Sequence, residues 1–423
     1  MIVKNESEII IKTLENLCSY IPFSYWVISD TGSTDNTKEL IIDFFKNKQI
    51  DGELVEHEWV DFGYNRTKAL EYAYNKTDML LIFDADDEIV GNLLLPDTYD
   101  CDKYIFKFGT DFVFTRTILI NNRKKWIFKG VLHEYLENID EICGKKHMEG
   151  DYHIAIGRSA DRTSDRGKNP NKYRDDAEIL KKAHFDECDK DYYLSCRYAF
   201  YCAQSYKDAG SVYIDDAIEW YKKCLGLNMW LQEKYYSCLT LGDLYMKKND
   251  NQNALKYWCK TIDYDHERME GIVNATQFLR KDDQHLLVNV LYNRFKNYNP
   301  MLHDKLFILK NLYDDQLEYQ NSISAFYVND KISGYECCKK IIINNKIQYS
   351  LLKSTLSNLK HYINFIDQDS QENILQLFYA FDEVIYTISL KNEQIDDNMV
   401  TIWTRLFEKG IPSISNIKSL HLL

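Results

Sequence analysis

The chain has 423 residues, and its 65 acidic against 52 basic side chains give a formal net charge of −13. That balance excludes a protein whose main work is gripping nucleic acid, since neutralising phosphates needs a basic face, and 45% hydrophobic content excludes a disordered chain and leaves room for two or three domains. Eleven cysteines, odd in number and without a Cys-x-x-Cys, fit neither a disulfide framework nor a zinc site; no apolar run nears the roughly 20 residues of a membrane span, and no signal peptide pattern opens the chain, so a cytoplasmic protein with reduced thiols is expected.

In chain order, Ile2-Val3 reads as a strand, so either the first strand is very short or the natural start lies upstream. Glu8 to Leu17 reads as a helix, Trp26-Val27-Ile28 as a strand and Thr37 to Phe45 as a helix; Met79 to Phe83, Tyr104 to Phe108 and Thr117 to Ile120 read as further strands. Alternation of this kind up to about residue 157 predicts a mostly parallel, Rossmann-like sheet. Ligands bind such sheets outside the carboxyl ends of the strands. The stretch Ile28 to Thr37 leaves a strand, turns at Gly32 and enters a helix, which puts Asp30 at that edge, where it can accept from a base N–H. Asp35 in the same turn reads equally as a helix cap.

The run Met79-Leu80-Leu81-Ile82-Phe83-Asp84-Ala85-Asp86-Asp87-Glu88 is the densest signal. An apolar strand empties into four carboxylates, and the period of two points Asp84 and Asp86 the same way. Two hard oxygen ligands on one side suit Mg²⁺ or Mn²⁺, which bridge a carboxylate to a substrate phosphate. Spacing alone does not single this triplet out, because Asp100/Asp102, Asp189/Asp191, Asp263/Asp265 and Asp367/Asp369 share it. None of those four follows an apolar strand.

Between Arg158 and Lys172 five cations (Arg158, Arg162, Arg166, Lys168, Lys172) stand with Gly167 and Pro170 and no apolar period, which reads as a loop. It either closes over a diphosphate or is a solvated charge run. From about Tyr173 the period is helical to the end. Tyr206 corresponds to Tyr245, Ala203 to Gly242 and Ala217 to Ala254, a repeat a few residues longer than the roughly 34 of a tetratricopeptide unit, with a weaker round at Ile323 to Tyr327 and Gly334-Tyr335. The aromatic stripes, from 32 tyrosines against five prolines, read as core at packing seams.

Several blocks together carry a family resemblance. Met1-Ile-Val-Lys-Asn-Glu-Ser, Asp30-Thr-Gly-Ser-Thr-Asp35, Asp61-Phe-Gly-Tyr-Asn-Arg66 through Leu70, and Phe83-Asp84-Ala85-Asp86 resemble the inverting, GT-A-type glycosyltransferases of family 2. Lys129-Gly-Val-Leu-His-Glu-Tyr135, Gly157-Arg158-Ser159 and Asn169-Pro-Asn-Lys-Tyr173 resemble the branch fused to tetratricopeptide repeats. The resemblance runs over residues 1–260, and the missing front of the first strand is a departure at the edge of the base pocket. It implies an α/β Rossmann-like GT-A domain over residues 1–168, followed by an all-α tetratricopeptide-like helical repeat domain over residues 169–423.

By residue, the resemblance implies that Val3, Asn5 and Glu6 line base and ribose and that Asp30 meets the base edge. Arg66 would approach base or diphosphate. Asp84 would face the ribose or the metal's outer shell, Asp86 would bind the metal, and His133 would be a further metal or diphosphate contact. Transfer leaves charge on a phosphate, which a divalent cation and nearby arginines stabilise, while the acceptor hydroxyl needs a carboxylate base. Glu134 is the expected base and Asp111, beyond the strand Tyr104 to Phe108, the reserve.

The expected activity is therefore that of a Mn²⁺- or Mg²⁺-dependent inverting hexosyltransferase with a UDP-sugar donor and a glycan, peptide or protein acceptor. The repeats would hold the acceptor or mediate self-association. The alternative is a nucleotide-binding repeat scaffold without turnover; a nucleotidyltransferase would want a Gly-rich basic phosphate loop, which is not visible.

Overall fold

The computed structural model describes residues 1–140, 144–157, 169–297, 304–410 and 417–419. Packing divides the chain into two compact units, Met1–Leu244 with His303–Ile308, and Tyr245–Leu302 with Leu309–Leu423. The change from strands to helices comes earlier, between Ala155 and Lys172. The first helices thus pack as part of the strand-bearing unit.

In the first unit β1 (Ile2–Val3), β2 (Trp26–Asp30) and β3 (Gly52–Glu56) form a parallel sheet in that order, with Val3 opposite Asp30 and Asp30 opposite Glu56. The crossovers are α1 (Ile10–Tyr20) and α2 (Thr37–Lys48), each with an apolar face. Ile10, Leu14, Ile41, Phe44 and Phe45 from those helices bury against Val3 and Ile28, and Trp26 stacks on Phe45 at 4.4 Å. This half matches the expected parallel order.

The expectation of one mostly parallel sheet does not hold beyond it. After α3 (Phe62–Ala73) come β4 (Met79–Leu81), β5 (Glu88–Leu94), β6 (Lys103–Phe108), β7 (Phe112–Asn121), the hairpin of β8 (Trp126–Lys129) and β9 (Tyr135–Asn138), then β10 (Lys145–His147) and β11 (Glu149–Ala155). They build a second, mixed sheet in the order β7, β6, β11, β5, with β4 also on β7 and β10 on β6. Pairs β4/β7, β6/β7 and β5/β11 are antiparallel. For β6 and β7 the cause is the chain between them: residues 109–111 join the two, far too few for the crossover that parallel neighbours require.

The expected strand Met79 to Phe83 ends at Leu81, although Ile82 N–H still donates to Ile118 at 2.6 Å. Ile82 and Phe83 are buried, and the acidic turn begins directly after them. An apolar cavity of about 380 Å³ lies between β2 and β4, lined by Leu14, Leu17, Trp26, Val27, Leu80 and Leu81 among others. Met1 also lines it, and its α-amino group is lowered to about 6 by burial and then by Arg66. Among the described residues no helix is long and apolar enough to cross a membrane, and the ten described cysteines are free thiols.

Still in the first unit, helices Lys172–Glu187, Tyr192–Asp208 and Ile214–Gly226 pack in succession through Ala177, Ala199, Ala203 and Ala217, all fully buried. Helix Leu231–Lys247 follows. Tyr206 and Tyr245 sit near the ends of alternate helices, and Ala217 and Ala254 on the helices that come next, as the sequence correspondence requires. In the second unit Tyr245 stacks flat on Tyr257 at 5.6 Å, helix Glu270–Lys281 buries Ile272 and Val273 against Tyr292 and Leu317, and the helices from Gln316–Tyr327 to Asp397–Gly410 surround a core that includes Ile341, Leu356, Phe378, Phe381, Ile402 and Leu406.

Candidate active site

The carboxyl end of β2 and the loop after β1 are stitched together by short polar side chains. Asn5 adopts φ 56°, and its Oδ1 accepts from Thr34 N–H at 2.8 Å while its own N–H donates to Ser33 Oγ at 2.9 Å. Glu6 N–H donates to Thr37 Oγ1 at 2.8 Å, and Val3 carbonyl accepts from Thr31 N–H at 3.0 Å. Asp35 is not the helix cap, which is Asn36; it accepts from Ser7 N–H and Thr37, and although burial opposes its charge these bonds hold it below the usual range. Val3, Asn5, Glu6 and Asp30 therefore meet at one edge.

Asp30 is fully buried, and its Oδ1 accepts from Gly32 and Ser33 N–H at 2.9 and 2.8 Å. Its Oδ2 is buried with no hydrogen-bond partner. A buried acceptor left unmade costs roughly 1–3 kcal/mol, more for a charged group, so this oxygen is placed to accept from a water or from a bound ligand.

The acidic turn after β4 is anchored by α1. Thr13 Oγ1 donates to Ala85 carbonyl at 2.6 Å, and Asn16 both accepts from Ile89 N–H and donates to Ile89 carbonyl at 2.8 and 2.9 Å. Asp84 then faces two cations, Arg66 Nη2 at 2.6 Å and Arg116 Nη1 at 3.4 Å. Burial works against its charge, but Arg66 and then Arg116 hold it well below the carboxylate range. Asp86 is half-buried in the same turn. Asp87 turns inward and accepts from Gly157 N–H at 3.2 Å; burial, then Asp84 and Asp86, push it up to about 7. Burial and then Asp86 and Asp35 push Glu6 to about 7 as well.

Arg66 reaches this cluster from α3, whose cap Asp61 accepts from Tyr64 N–H at 2.8 Å. A side chain at Gly63 would stand 2.5 Å from Gly130 carbonyl, so this glycine lets α3 press on the turn between β8 and β9. Gly130 has φ 117°, and the turn it opens brings Glu134 to Arg66 Nε at 2.6 Å, an ion pair in which the N–H is not aimed at the oxygen. Burial opposes the Arg66 charge, and Asp84 and Glu134 more than restore it. The pair is nearly dry, so removing either partner strands the other.

The sequence assignments divide accordingly. Asp30, Arg66, Asp84 and Glu134 lie on connected elements; Asp84 faces two arginines, and the His133 ring lies flat on Tyr201 at 4.1 Å. Glu134 stands as a counter-ion of Arg66, and Asp111 lies exposed in the turn between β6 and β7. Of the basic stretch 158–172, residues 158–168 lie outside the described residues, and Lys172 begins a helix. Sequence reading missed Arg116 and Asp87. Arg116 could have been found as the one cation inside the alternating strand Phe112–Asn121.

Among the described residues no three His, Cys, Asp or Glu side chains form a ready cage for a metal ion. A cation shared between one or two carboxylates and a substrate's phosphates needs no such cage. The donor set fits that arrangement: Asp86 offers a hard oxygen beside Glu6 and Asp87, two carboxyls that burial and then the neighbouring carboxylates raise to about 7. No curated protein matches the chain. Residues 1–130, from β1 to the glycine that opens the Glu134 turn, match the model of the family described as glycosyl transferase family 2, which supports a glycosyltransferase.

Proposed function

We propose that the chain is a metal-dependent, inverting hexosyltransferase that takes its sugar from a UDP-sugar and passes it to a glycan, peptide or protein acceptor. The observation that carries the reading is the buried, unpartnered Oδ2 of Asp30 at the strand end, one turn from a crowd of carboxylates. It supports a ring N–H of a pyrimidine base as the missing donor, with Val3, Asn5 and Glu6 around base and ribose.

Mn²⁺ or Mg²⁺ on Asp86 would neutralise charge developing on the diphosphate. Arg66 and Arg116 are the chain's own cations beside it. Arg66 holds both Asp84 and Glu134, so when it turns to the diphosphate it releases Glu134 to accept the proton of the acceptor hydroxyl. The matched positions of Tyr206/Tyr245 and Ala217/Ala254 support a tetratricopeptide-like stack, which would present the acceptor.

The test is release of UDP from UDP-glucose, UDP-galactose and UDP-N-acetylglucosamine by the full chain, with Mn²⁺ and with chelator. Metal-dependent release is expected. A chain that UDP stabilises thermally but that consumes no donor with any acceptor would be a nucleotide-binding scaffold instead. Glu134→Gln is expected to lower transfer by roughly a hundred- to ten-thousandfold; wild-type transfer in that variant with an inactive Asp111→Asn would move the base to Asp111.

A further inference from the structure

The turn that carries Glu134 is gripped from a second side. His133 takes φ 55°, a left-handed conformation that an L side chain rarely adopts, directly before Glu134. What over-determines it is the helix Tyr192–Asp208, capped by Asp191, which accepts from Leu194 N–H at 3.0 Å. Arg197 and Tyr201 lie one turn apart on that helix and so share a face. Arg197 Nε–H donates to His133 carbonyl at 2.9 Å, and Tyr201 stacks under the His133 imidazole within 9° of parallel. Tyr198, buried on the same helix, accepts from Val131 N–H at 3.0 Å.

Arg197 is itself fixed. Its guanidinium lies 4.7 Å from the Tyr201 ring centre and 5.5 Å from that of Tyr135, and its Nη1 is 3.7 Å from Glu233. Glu233 is buried. The connection therefore runs without a gap from Glu233 through Arg197 to His133, and through Glu134 and Arg66 to Asp84.

We infer that Arg197, Tyr198 and Tyr201 are positioning residues for the site: by clamping the turn Gly130 to Tyr135 they hold Glu134, and through it Arg66, in register with Asp84. The inference rests on the reading of that site as the place of glycosyl transfer. It also gives the helices that follow the strands a task in the chemistry apart from any acceptor they present. None of the three touches the reacting atoms, so they act through the turn alone.

The experiment uses the full chain and two readouts: hydrogen exchange of the amides of residues 131–135, and steady-state kinetics with UDP-sugar and Mn²⁺. Arg197→Ala is expected to speed exchange in that segment at least tenfold and to lower kcat at least tenfold, with KM for the donor within about threefold and the melting temperature nearly kept. Arg197→Lys keeps one donor for the His133 carbonyl and recovers most of kcat. Tyr198→Phe, which removes only the acceptor for Val131 N–H, speeds exchange at residue 131, and Tyr201→Phe, which keeps the stacking ring but loses the oxygen that accepts from Arg197 Nη2 at 3.4 Å, speeds exchange in the segment less than Arg197→Ala does. Unchanged exchange in Arg197→Ala and Tyr198→Phe would overturn the clamp, and faster exchange with unchanged kcat would overturn its role in turnover. If the wild-type chain consumes no nucleotide sugar, the functional reading fails by itself, and the exchange arm still decides whether the clamp exists.

Discussion

Two Asp-x-Asp turns, one in each unit, share a spacing and little else. At Asp367/Asp369 every charge is answered by the chain: Asp367 meets Arg405 and Lys409, and Asp369 accepts from Lys339, Tyr335 and Asn373. Burial works against both, yet those contacts lower them, Asp369 to about 2. At Asp84/Asp86 the arginines go to Asp84, while Glu6 and Asp87 are pushed up to about 7 and Asp30 keeps an unpaired oxygen. An acidic turn that closes its own account is structure. One that leaves repulsion standing is where the proposed function seats its ligand.

The sharpest break of this comparison is Asp86→Ala. Mn²⁺-dependent turnover is expected to fall by about a thousandfold or more with the fold intact, because the proposed reading makes Asp86 the side chain that would hold the cation. Next comes Asp369→Ala, which should cost about 2 kcal/mol of unfolding free energy, read from urea midpoints, and leave the affinity for UDP unchanged. Its carboxyl is depressed when folded, so the stability it lends is present above pH 4 and is lost as pH falls toward about 2. If the two variants changed places, with Asp369→Ala inactive and Asp86→Ala merely unstable, the contrast between the turns would be mistaken.

What was legible in the sequence was local. The strand end at Asp30, the helix entry at Asp61 and the glycine-marked turn before Glu134 are each set by a few consecutive residues and stand where the pattern put them, while the strand before Asp84 stops early, at Leu81. Two of the other Asp-x-Asp triplets resolve just as locally, since Asp191 caps a helix and Asp265 accepts from Glu267 N–H, whereas Asp102 finds its partner farther along the chain, in Lys124. Pairings distant in sequence were not legible. Arg116 reaches Asp84 across 32 residues, Gly157 reaches Asp87 across 70, and Arg197 reaches His133 across 64. The antiparallel second sheet escaped for the same reason, since alternating strands do not state which neighbour they will pair with. Glu134 could be found as a candidate from its surroundings in sequence, but not its ion pair with Arg66, which depends on how closely Gly63 lets α3 approach Gly130.

A smaller effect is expected from Asp30→Asn. The amide keeps an oxygen for Gly32 and Ser33 and turns an NH₂ toward the incoming base, where a donor would meet a donor. UDP affinity, measured by calorimetry, should weaken about ten- to a hundredfold, which is roughly 1.4–2.7 kcal/mol. An unchanged affinity would mean that the orphan oxygen faces something other than the base.

The smallest and most specific consequence concerns Asp87 and pH. Its carboxyl is raised from the ordinary value near 4 to about 7, so between those values the folded chain keeps a proton that the unfolded chain has released. Where the folded state binds more protons, stability falls as pH rises; the contribution is whole below pH 4 and is lost through pH 7. Asp87→Asn keeps an acceptor for Gly157 N–H but cannot ionise. Relative to wild type the variant should therefore gain stability on going from pH 5 to pH 8, by about 1–3 kcal/mol, and comparing the two chains cancels every other titrating group. Mn²⁺ with UDP should shrink that gain, because a bound cation removes the repulsion from Asp86 that helps to raise Asp87. A gap between the two chains that stays flat from pH 5 to 8 would show that Asp87 is not under that pressure, and the crowding that sets this acidic turn apart from Asp367/Asp369 would rest on Glu6 alone.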